Sequence, residues 1–373
     1  MGKKIIVAGH ICLDITPVFP KNNEVSSLDE IMVPGRLINV GAAEVHTGGS
    51  VANTGLALKK LGNDVALMGK VGNDAFGGMV RRLLSDSGVD GLLTDDDSST
   101  SYSVVLAVPG IDRIFLHDPG ANNTFSSSDI PDEALEDAVL LHFGYPPLMK
   151  KIYADNGAEL EAIFSRAKAK GIATSLDFAA IDSNSEAGQV DWLALLQNVL
   201  PQTDFFLPSF EELCFMLDRE KFDRLHALGG DMTEKLDFAQ DVMPLAEKCL
   251  ALGCGFVLIK CGTAGMYFAS GNMENVGARL ELDAKLWAHK SGIQPCYKAE
   301  KICSATGCGD ASIAAFLTAL LTGKAPVECA MLAAAEGACA VTSYDALSGL
   351  KTVPELEAKL AAGWDTMGGT TCL

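Results

Sequence analysis

Positive charge is scarce in this chain of 373 residues, where 29 Lys and Arg face 48 Asp and Glu and leave a formal net charge of -19. Nucleic-acid affinity comes largely from clustered Lys and Arg, so a broad phosphate-binding surface is excluded. Long apolar runs are missing as well. No segment approaches the roughly 18 uninterrupted apolar residues of a membrane span. The apolar stretch of the opening MGKKIIVAGHICLDITP is short and broken by Asp14, where a secretory leader needs a longer one. The chain has 11 cysteines but no C-x-x-C pair. Cys214, Cys249, Cys254, Cys329 and Cys339 sit in apolar or Gly-rich surroundings, which suits small buried hydrophobes in a reducing, cytoplasmic compartment better than zinc ligands. The last four residues, TTCL, place Cys372 wrongly for prenylation. What is left is a small polar molecule as partner, with no nucleic acid and no membrane.

A large core is affordable, since 48% of the residues are hydrophobic. Short apolar runs ending in Gly, Pro or Ser read as buried strands: KKIIVAGH, LGNDVALMGKVG, DAVLLHFG, GIATSLDFA, TDFFLPS and CGFVLIKCG. Between most of them lie helical stretches such as AFGGMVRRLLSDSG and NGAELEAIFSRAKAKG. That alternation predicts an α/β fold, a doubly wound and mostly parallel sheet, in one domain over residues 1–373. Two regions break the rhythm, about 15–47 and 98–120. The second holds SYSVVLAV and RIFLH joined by the turn PGID, so these regions are expected to form a small antiparallel lid. The tract LTDDDSST before the hairpin reads as a solvated loop. No internal repeat is present.

The stretch SATGCGDASIAAFL, residues 304–317, sets a carboxylate directly after Gly-Cys-Gly. Apolar residues at 313, 316, 317, 320 and 321 mark one helix face, so Asp310 stands in the opening turn of a helix. A first-turn carboxylate serves as a cap, worth on the order of 1 kcal/mol. The glycines point further, because Gly307 and Gly309 let backbone N–H groups face one concave anion site at the helix start. No Walker A pattern and no complete dinucleotide fingerprint occurs. A carboxylate inside an anion cradle suits phosphoryl transfer, in which it accepts the proton of the attacking hydroxyl while N–H groups and Mg2+ carry the transferred charge.

Upstream, TGGSVANTGLALKKLG (residues 47–62) places Gly48 and Gly49 before Asn53, whose amide offers donor and acceptor to a sugar hydroxyl. Together these two stretches resemble the PfkB or ribokinase-like family of carbohydrate and nucleoside kinases. TGGSVANTGLALKKLG resembles the family's N-terminal Gly-Gly motif, GKVGNDAFGG the segment that follows it, and SATGCGD the C-terminal D-T-x-G-A-G-D motif. The two outer motifs lie about 250 residues apart and the likeness runs from Lys3 to about Leu360.

The resemblance implies an ATP-dependent, Mg2+-requiring kinase acting on a hydroxyl of a small sugar or sugar-like molecule. By it Asp310 is the catalytic base, and Gly307, Cys308 and Gly309 form the anion hole. Asp14, in GHICLD, matches the substrate-binding aspartate, with Gly48, Gly49 and Asn53 in the same pocket. Lys260, Gly262, Thr263 and Gly265 match the strand and Gly-rich turn that contact ATP, and Glu212 in PSFEEL matches a glutamate that influences Mg2+ through water. The lids of similar kinases pair with their copies, so a homodimer through the lid is a further expectation. Departures are present too. Ser209 replaces the Asn of the family's N-x-x-E, and Ser304 stands where an Asp associated with a monovalent-cation site begins the C-terminal motif, which puts potassium activation in doubt. Cys308 replaces the usual Ala and introduces a thiol open to oxidation. Cys12 and Ser50 differ from ribokinases proper, which disfavours ribose. A nucleoside kinase of the same fold and a non-catalytic sugar or nucleotide sensor remain as alternatives.

Overall fold

The computed structural model describes residues 3–20, 25–89, 91–111, 113–234 and 236–367; Asp112 of the PGID turn and the TTCL end with Cys372 fall outside them. The first strand shows how the main layer arises. In β1 (Lys4–Gly9) every residue from Ile5 on is buried. Ile5 and Val7 join one apolar cluster, Ile6 and Ala8 the other, as the period of two along a strand requires. A strand buried on both faces belongs inside a sheet covered by helices on both sides.

That sheet has eight strands. With β4 (Asp64–Met68), β9 (Ala138–Gly144), β10 (Ala173–Asp177), β11 (Phe205–Phe206), β12 (Phe256–Lys260), β13 (Met266–Ser270) and β14 (Ser291–Gln294), the order is β14-β13-β12-β11-β10-β9-β1-β4. Every pair from β12 to β4 is parallel, and β13 and β14 add antiparallel strands at one edge. Helices Ser50–Lys60, Cys308–Leu321 and Pro326–Ala340 cover one face; Ala158–Ala169, Trp192–Val199, Phe210–Leu217 and Met243–Ala251 cover the other. Phe316, on the helix that carries Asp310, packs 5.3 Å from Phe256 and 6.1 Å from Trp287, centroid to centroid, and so locks that helix to the sheet.

Strand order reverses at β1, which has β9 on one side and β4 on the other, and ligands of open α/β sheets bind beyond the carboxyl ends of strands at such a point. Here Gly9, Gly144 and Asp177 lie side by side at those ends. His10 N continues the ladder to Gly144 O at 3.2 Å, and Tyr145 N to Asp177 O at 3.3 Å.

A second sheet stands directly on this edge, because only His10 and Ile11 separate β1 from β2 (Cys12–Pro17). With β3 (Ala43–Gly48), β7 (Tyr102–Leu106) and β8 (Ile114–Asp118) the order is β3-β2-β7-β8. The β2–β3 and β7–β8 pairs are antiparallel, and β2 meets β7 in parallel. Two short strands, β5 (Lys70–Gly72) and β6 (Leu93–Asp95), pair apart from both sheets. The tract LTDDDSST, expected as a loop throughout, instead opens as β6 because Leu93–Asp95 pair with β5, and Asp95 accepts from Ser98 Oγ at 3.0 Å and Thr124 Oγ1 at 2.5 Å. Among the described residues no His, Cys, Asp and Glu group suited to a metal ion occurs, and no helix is long and apolar enough to cross a membrane. Cys214, Cys249, Cys254, Cys329 and Cys339 are buried free thiols.

Candidate active site

Asp310 sits in the first turn of its helix, 3% exposed. Gly307 precedes the helix with φ +71°, and a Cβ there would come within 2.3 Å of the Ala346 side chain, so both backbone and space demand glycine. At the helix start Cys308 N donates to Ala305 O at 3.3 Å, and the first backbone N–H groups lack intrahelical partners. The Asp310 carboxylate turns to side chains: Oδ2 accepts from Asn53 Nδ2 at 3.1 Å and from Tyr145 Oη at 2.7 Å, and Oδ1 from Thr54 Oγ1 at 3.0 Å. Burial raises the Asp310 carboxyl above its ordinary range; Tyr145, Lys260, Asn53 and Thr54 pull against it.

Each of those donors is placed by a local backbone feature. Asn53 and Thr54 lie in the opening turns of helix Ser50–Lys60, which begins at Gly49 with φ +84°. Any side chain at Gly49 would strike the carbonyl of His10 at 2.6 Å, and one at Gly144 would strike Ser50 Oγ at 1.8 Å, so two glycines let this helix approach the sheet edge. Tyr145 follows Gly144 with φ +65° and ψ +45°, a left-handed conformation that disfavours a side chain. The main chain is bent there so that the ring leaves β9 toward the helix carrying Asp310. Burial, then the Asp310 charge, pushes the Tyr145 phenol well above its ordinary value, so it serves as a neutral donor.

Asp14 lies on β2 with His46 opposite it on β3 and Ser103 on β7. Its carboxylate occupies the space over Gly48, where a Cβ would fall 2.2 Å from Asp14 Oδ2. Cys12 Sγ donates to Asp14 Oδ1 at 3.3 Å. Burial raises the Asp14 carboxyl, against hydrogen bonds from Cys12 and Ser103 and the charge of His46.

Lys260 ends β12 with its ammonium inside the protein, donating to Asp177 Oδ1 at 2.7 Å and Leu207 O at 2.6 Å. A Cβ on Gly309 would sit 3.7 Å from Lys260 Cε, which brings the lysine beside the Gly-Cys-Gly turn. Burial alone would lower Lys260, but Asp177, Glu212 and Asp310 outweigh it and hold the ammonium above its ordinary value. Glu212 closes a capping box, its Oε2 accepting from Ser209 N at 2.7 Å. The turn after Lys260 carries Gly262 at φ +52° and Gly265 at φ +108°, with Cys261 N bonded to Gly265 O at 2.8 Å. Gly262 and Thr263 face solvent there.

Ser304 accepts from Arg113 Nη1 at 2.9 Å, a link from the small sheet to the loop before the helix. Burial, then the Asp310 charge, pushes the thiol of the half-buried Cys308 up, which favours its protonated form.

Thus Asp310, Gly307, Cys308, Gly309, Asn53 and Lys260 come together at one end of the sheet, while Asp14, Gly48 and Gly49 lie where the small sheet joins it. Tyr145, Thr54 and Asp177 escaped sequence reasoning. Asp177 had a signal, a carboxylate at the carboxyl end of the strand ATSLD, whereas Tyr145 had none beyond its place after a strand.

Comparison with known proteins gives a consistent result. The model of the pfkB family carbohydrate kinases matches residues 11–353. An uncharacterized sugar kinase of Archaeoglobus fulgidus is 26% identical over 302 residues, 79% of this chain and 98% of that protein. Among solved structures, Arabidopsis thaliana ribokinase complexed with ribose and ATP superposes with TM-score 0.71 at 20% identity, covering 96% of this chain and 99% of that one. A putative ribokinase II from E. coli, in complex with ATP and Mg2+, superposes with TM-score 0.68 at 20% identity, covering 96% and 99%.

Proposed function

The chain belongs to the pfkB family of carbohydrate kinases, and from that premise we propose that it transfers the γ-phosphoryl group of ATP to a hydroxyl of a small sugar, with Asp310 as the base. The observation that carries this reading is the Asp310 carboxylate itself, buried at a helix start yet held by Asn53, Thr54 and Tyr145. An ionised carboxylate accepts at about four lone-pair sites. Two donors occupy Oδ2 and one occupies Oδ1, which leaves Oδ1 the oxygen with room for a substrate proton.

In the reaction the hydroxyl oxygen attacks the γ-phosphorus, the bond to the β,γ-bridging oxygen breaks and leaves its electron pair on ADP, and the hydroxyl proton passes to Asp310. A loose transition state demands orientation first and proton acceptance late. The N–H groups of Gly307, Cys308 and Gly309, with the helix N-terminus, receive the charge on the transferred group. Lys260 adds a fixed ammonium beside them. Gly262 and Thr263, exposed in the turn past Lys260, and the buried Gly265 that closes it bind the nucleotide, a reading supported by ATP in the ribokinase-fold structures.

Burial raises the Asp177 carboxyl to about 8 against the charge of Lys260, and Glu212 and Asp310 add to the rise, so this cluster would gain from a divalent cation arriving with ATP. Mg2+ keeps several waters and needs only one or two carboxylates besides phosphate. Glu212 and Asp177 would hold it, and it would neutralise phosphate charge. Ser304 offers no carboxylate to a monovalent cation and already accepts from Arg113. Asp14, Gly48, Gly49 and Asn53 line the sugar pocket, and the small sheet acts as its lid, excluding water from the transfer.

The test is Asp310→Asn, assayed by coupled ADP release over ketoses, aldoses, sugar acids and nucleosides. Loss of a general base predicts a fall in kcat of about 100- to 10,000-fold on the best substrate. A folded variant that turns over as the parent does removes Asp310 from this role.

A further inference from the structure

The register of the small sheet sets four polar side chains in one row. His46 on β3 lies opposite Asp14 on β2, Asp14 opposite Ser103 on β7, and Ser103 opposite His117 on β8. Laterally paired residues of neighbouring strands share a face, so His46, Asp14, Ser103 and His117 all stand on the face of the sheet that carries Asp14. Contacts agree with that placement: Ser103 Oγ lies 3.0 Å from His117 Nδ1, and Cys12 Sγ lies 4.0 Å from Ser103 Oγ. The row then meets the main sheet. The His117 ring is 5.1 Å from that of His10, which is 6.1 Å from that of Tyr145, and Tyr145 reaches Asp310.

Two ring nitrogens in this array have no partner although they are buried, His117 Nε2 and His10 Nδ1. His10 is 1% exposed. Buried polar atoms are satisfied in folded proteins, so two neighbouring exceptions beside a proposed substrate carboxylate call for a ligand. Burial holds both imidazoles below their ordinary pKa. A neutral imidazole has one donor and one acceptor, which suits a hydroxyl in either orientation.

Charge narrows the ligand. None of the four strands, CLDITP, AEVHTG, YSVVL and IFLHD, contains Lys or Arg, while Asp14 and Glu44 bring carboxylates to the face of the row; Lys301 lies by Glu44 and His46, at the end of the row away from His117. Arg113 precedes β8 and donates to Ser304, at the phosphoryl end of the site. Asp14 and His117 are two strands apart, about 10 Å at the backbone, wide enough for one furanose or pyranose over Ser103.

We propose that Asp14, His117 Nε2 and His10 Nδ1 bind the non-reacting hydroxyls of an uncharged sugar, and that this subsite rejects sugar acids and sugar phosphates. The inference rests on the sugar-kinase reading above. It makes His117 a specificity-determining residue.

The experiment compares parent, His117→Phe and His117→Gln by ADP release with ATP and a panel of neutral ketoses, aldoses and polyols, together with gluconate, fructose 6-phosphate and adenosine. A neutral sugar should exceed gluconate and fructose 6-phosphate by roughly 100-fold in kcat/KM, as a hydrogen-bonding site discriminates. His117→Phe should raise KM for that sugar about tenfold with kcat within about threefold, and His117→Gln, which keeps a donor, should lie nearer the parent. Melting curves confirm that the variants fold. Preference for gluconate, fructose 6-phosphate or adenosine, silence towards every neutral sugar, or an unchanged KM in His117→Phe each overturns the proposal. Asp310→Asn separates the two readings: if that variant stays active while His117→Phe raises KM, the base assignment fails and the subsite stands.

Discussion

Replacing Tyr145 by Phe removes one hydrogen bond to the proposed base and little else. The ring remains to fill its place, and the left-handed backbone is the same for either residue. A hydrogen bond to a charged group is worth about 1.5 to 3 kcal/mol. Losing it disfavours the ionised form by that energy relative to the protonated one, so the Asp310 pKa should rise. The direction follows from the parent, in which burial raises this carboxyl and Tyr145 is the foremost group opposing it. A base works only when ionised, so a higher pKa moves the acid limb of the kcat profile to higher pH. Well above that limb the variant should recover to within a few-fold of the parent. Stability changes with the same sign: a carboxyl raised further in the folded state binds protons there more readily than in the unfolded state. Tyr145→Phe should therefore lose stability relative to the parent as pH rises through the Asp310 pKa. The assay is the pH dependence of kcat by coupled ADP release, paired with melting at each pH. A uniform drop in kcat with the acid limb in its original position would refute the reasoning, since it would make Tyr145 a packing residue.

Two further substitutions test the surroundings. Gly307→Ala forces a side chain into φ +71° and against Ala346 at 2.3 Å, so it should cost more than about 2 kcal/mol in unfolding experiments. Gly309→Ala meets only an ordinary 3.7 Å contact with Lys260, so it should fold as the parent does and lose about 100-fold in kcat by crowding the anion cradle; equal activity would place the phosphoryl group elsewhere. Glu336 is fully buried, both its oxygens accept from Lys351 N at 3.1 and 3.2 Å, and burial raises its carboxyl to about 7. Between about pH 4.5 and 7 the folded state then binds the extra proton, and stability falls as pH rises across that window, by roughly 3 kcal/mol for about 2.5 units. Glu336→Gln should match the parent near pH 5 and melt higher at pH 8, and identical pH profiles would contradict that account.

Local pattern and tertiary context divide this protein unevenly. Strands such as KKIIVAGH announce themselves, because burial on both faces and a closing glycine are properties of a few adjacent residues. Asp310 was legible for the same reason: glycines on one side and a 3.6-residue apolar period on the other place a carboxylate at a helix start. Its chemistry was not legible there, since capping and proton acceptance ask for the same residue. What the fold adds is the set of partners, Asn53, Thr54 and Tyr145, residues up to 257 positions away in the chain, and these support the proposal that the carboxylate is a base. Asn53 illustrates the reverse case. Its amide suited a sugar hydroxyl on paper, and in the fold it donates to Asp310, because the helix that begins at Gly49 lies against the helix that begins after Gly307.

The polar row on the small sheet was beyond sequence reasoning altogether. His46, Asp14, Ser103 and His117 come from four segments, and only the strand register makes them neighbours; a slip of one residue in β8 would turn His117 to the opposite face. The same register explains why a lid can be specific although it is short. Each strand contributes one side chain to the row, so on the proposed reading changing a single residue would alter one contact with the sugar and leave the proposed transfer site, built from the other sheet, in place. The two sheets are tied together, because only two residues separate β1 from β2 and Arg113, before β8, donates to Ser304 in the loop that leads to the helix of Asp310. On the proposed reading, a sugar that fills the row would act through that link on the segment leading into the anion cradle, which would tie recognition of the sugar to the geometry of phosphoryl transfer.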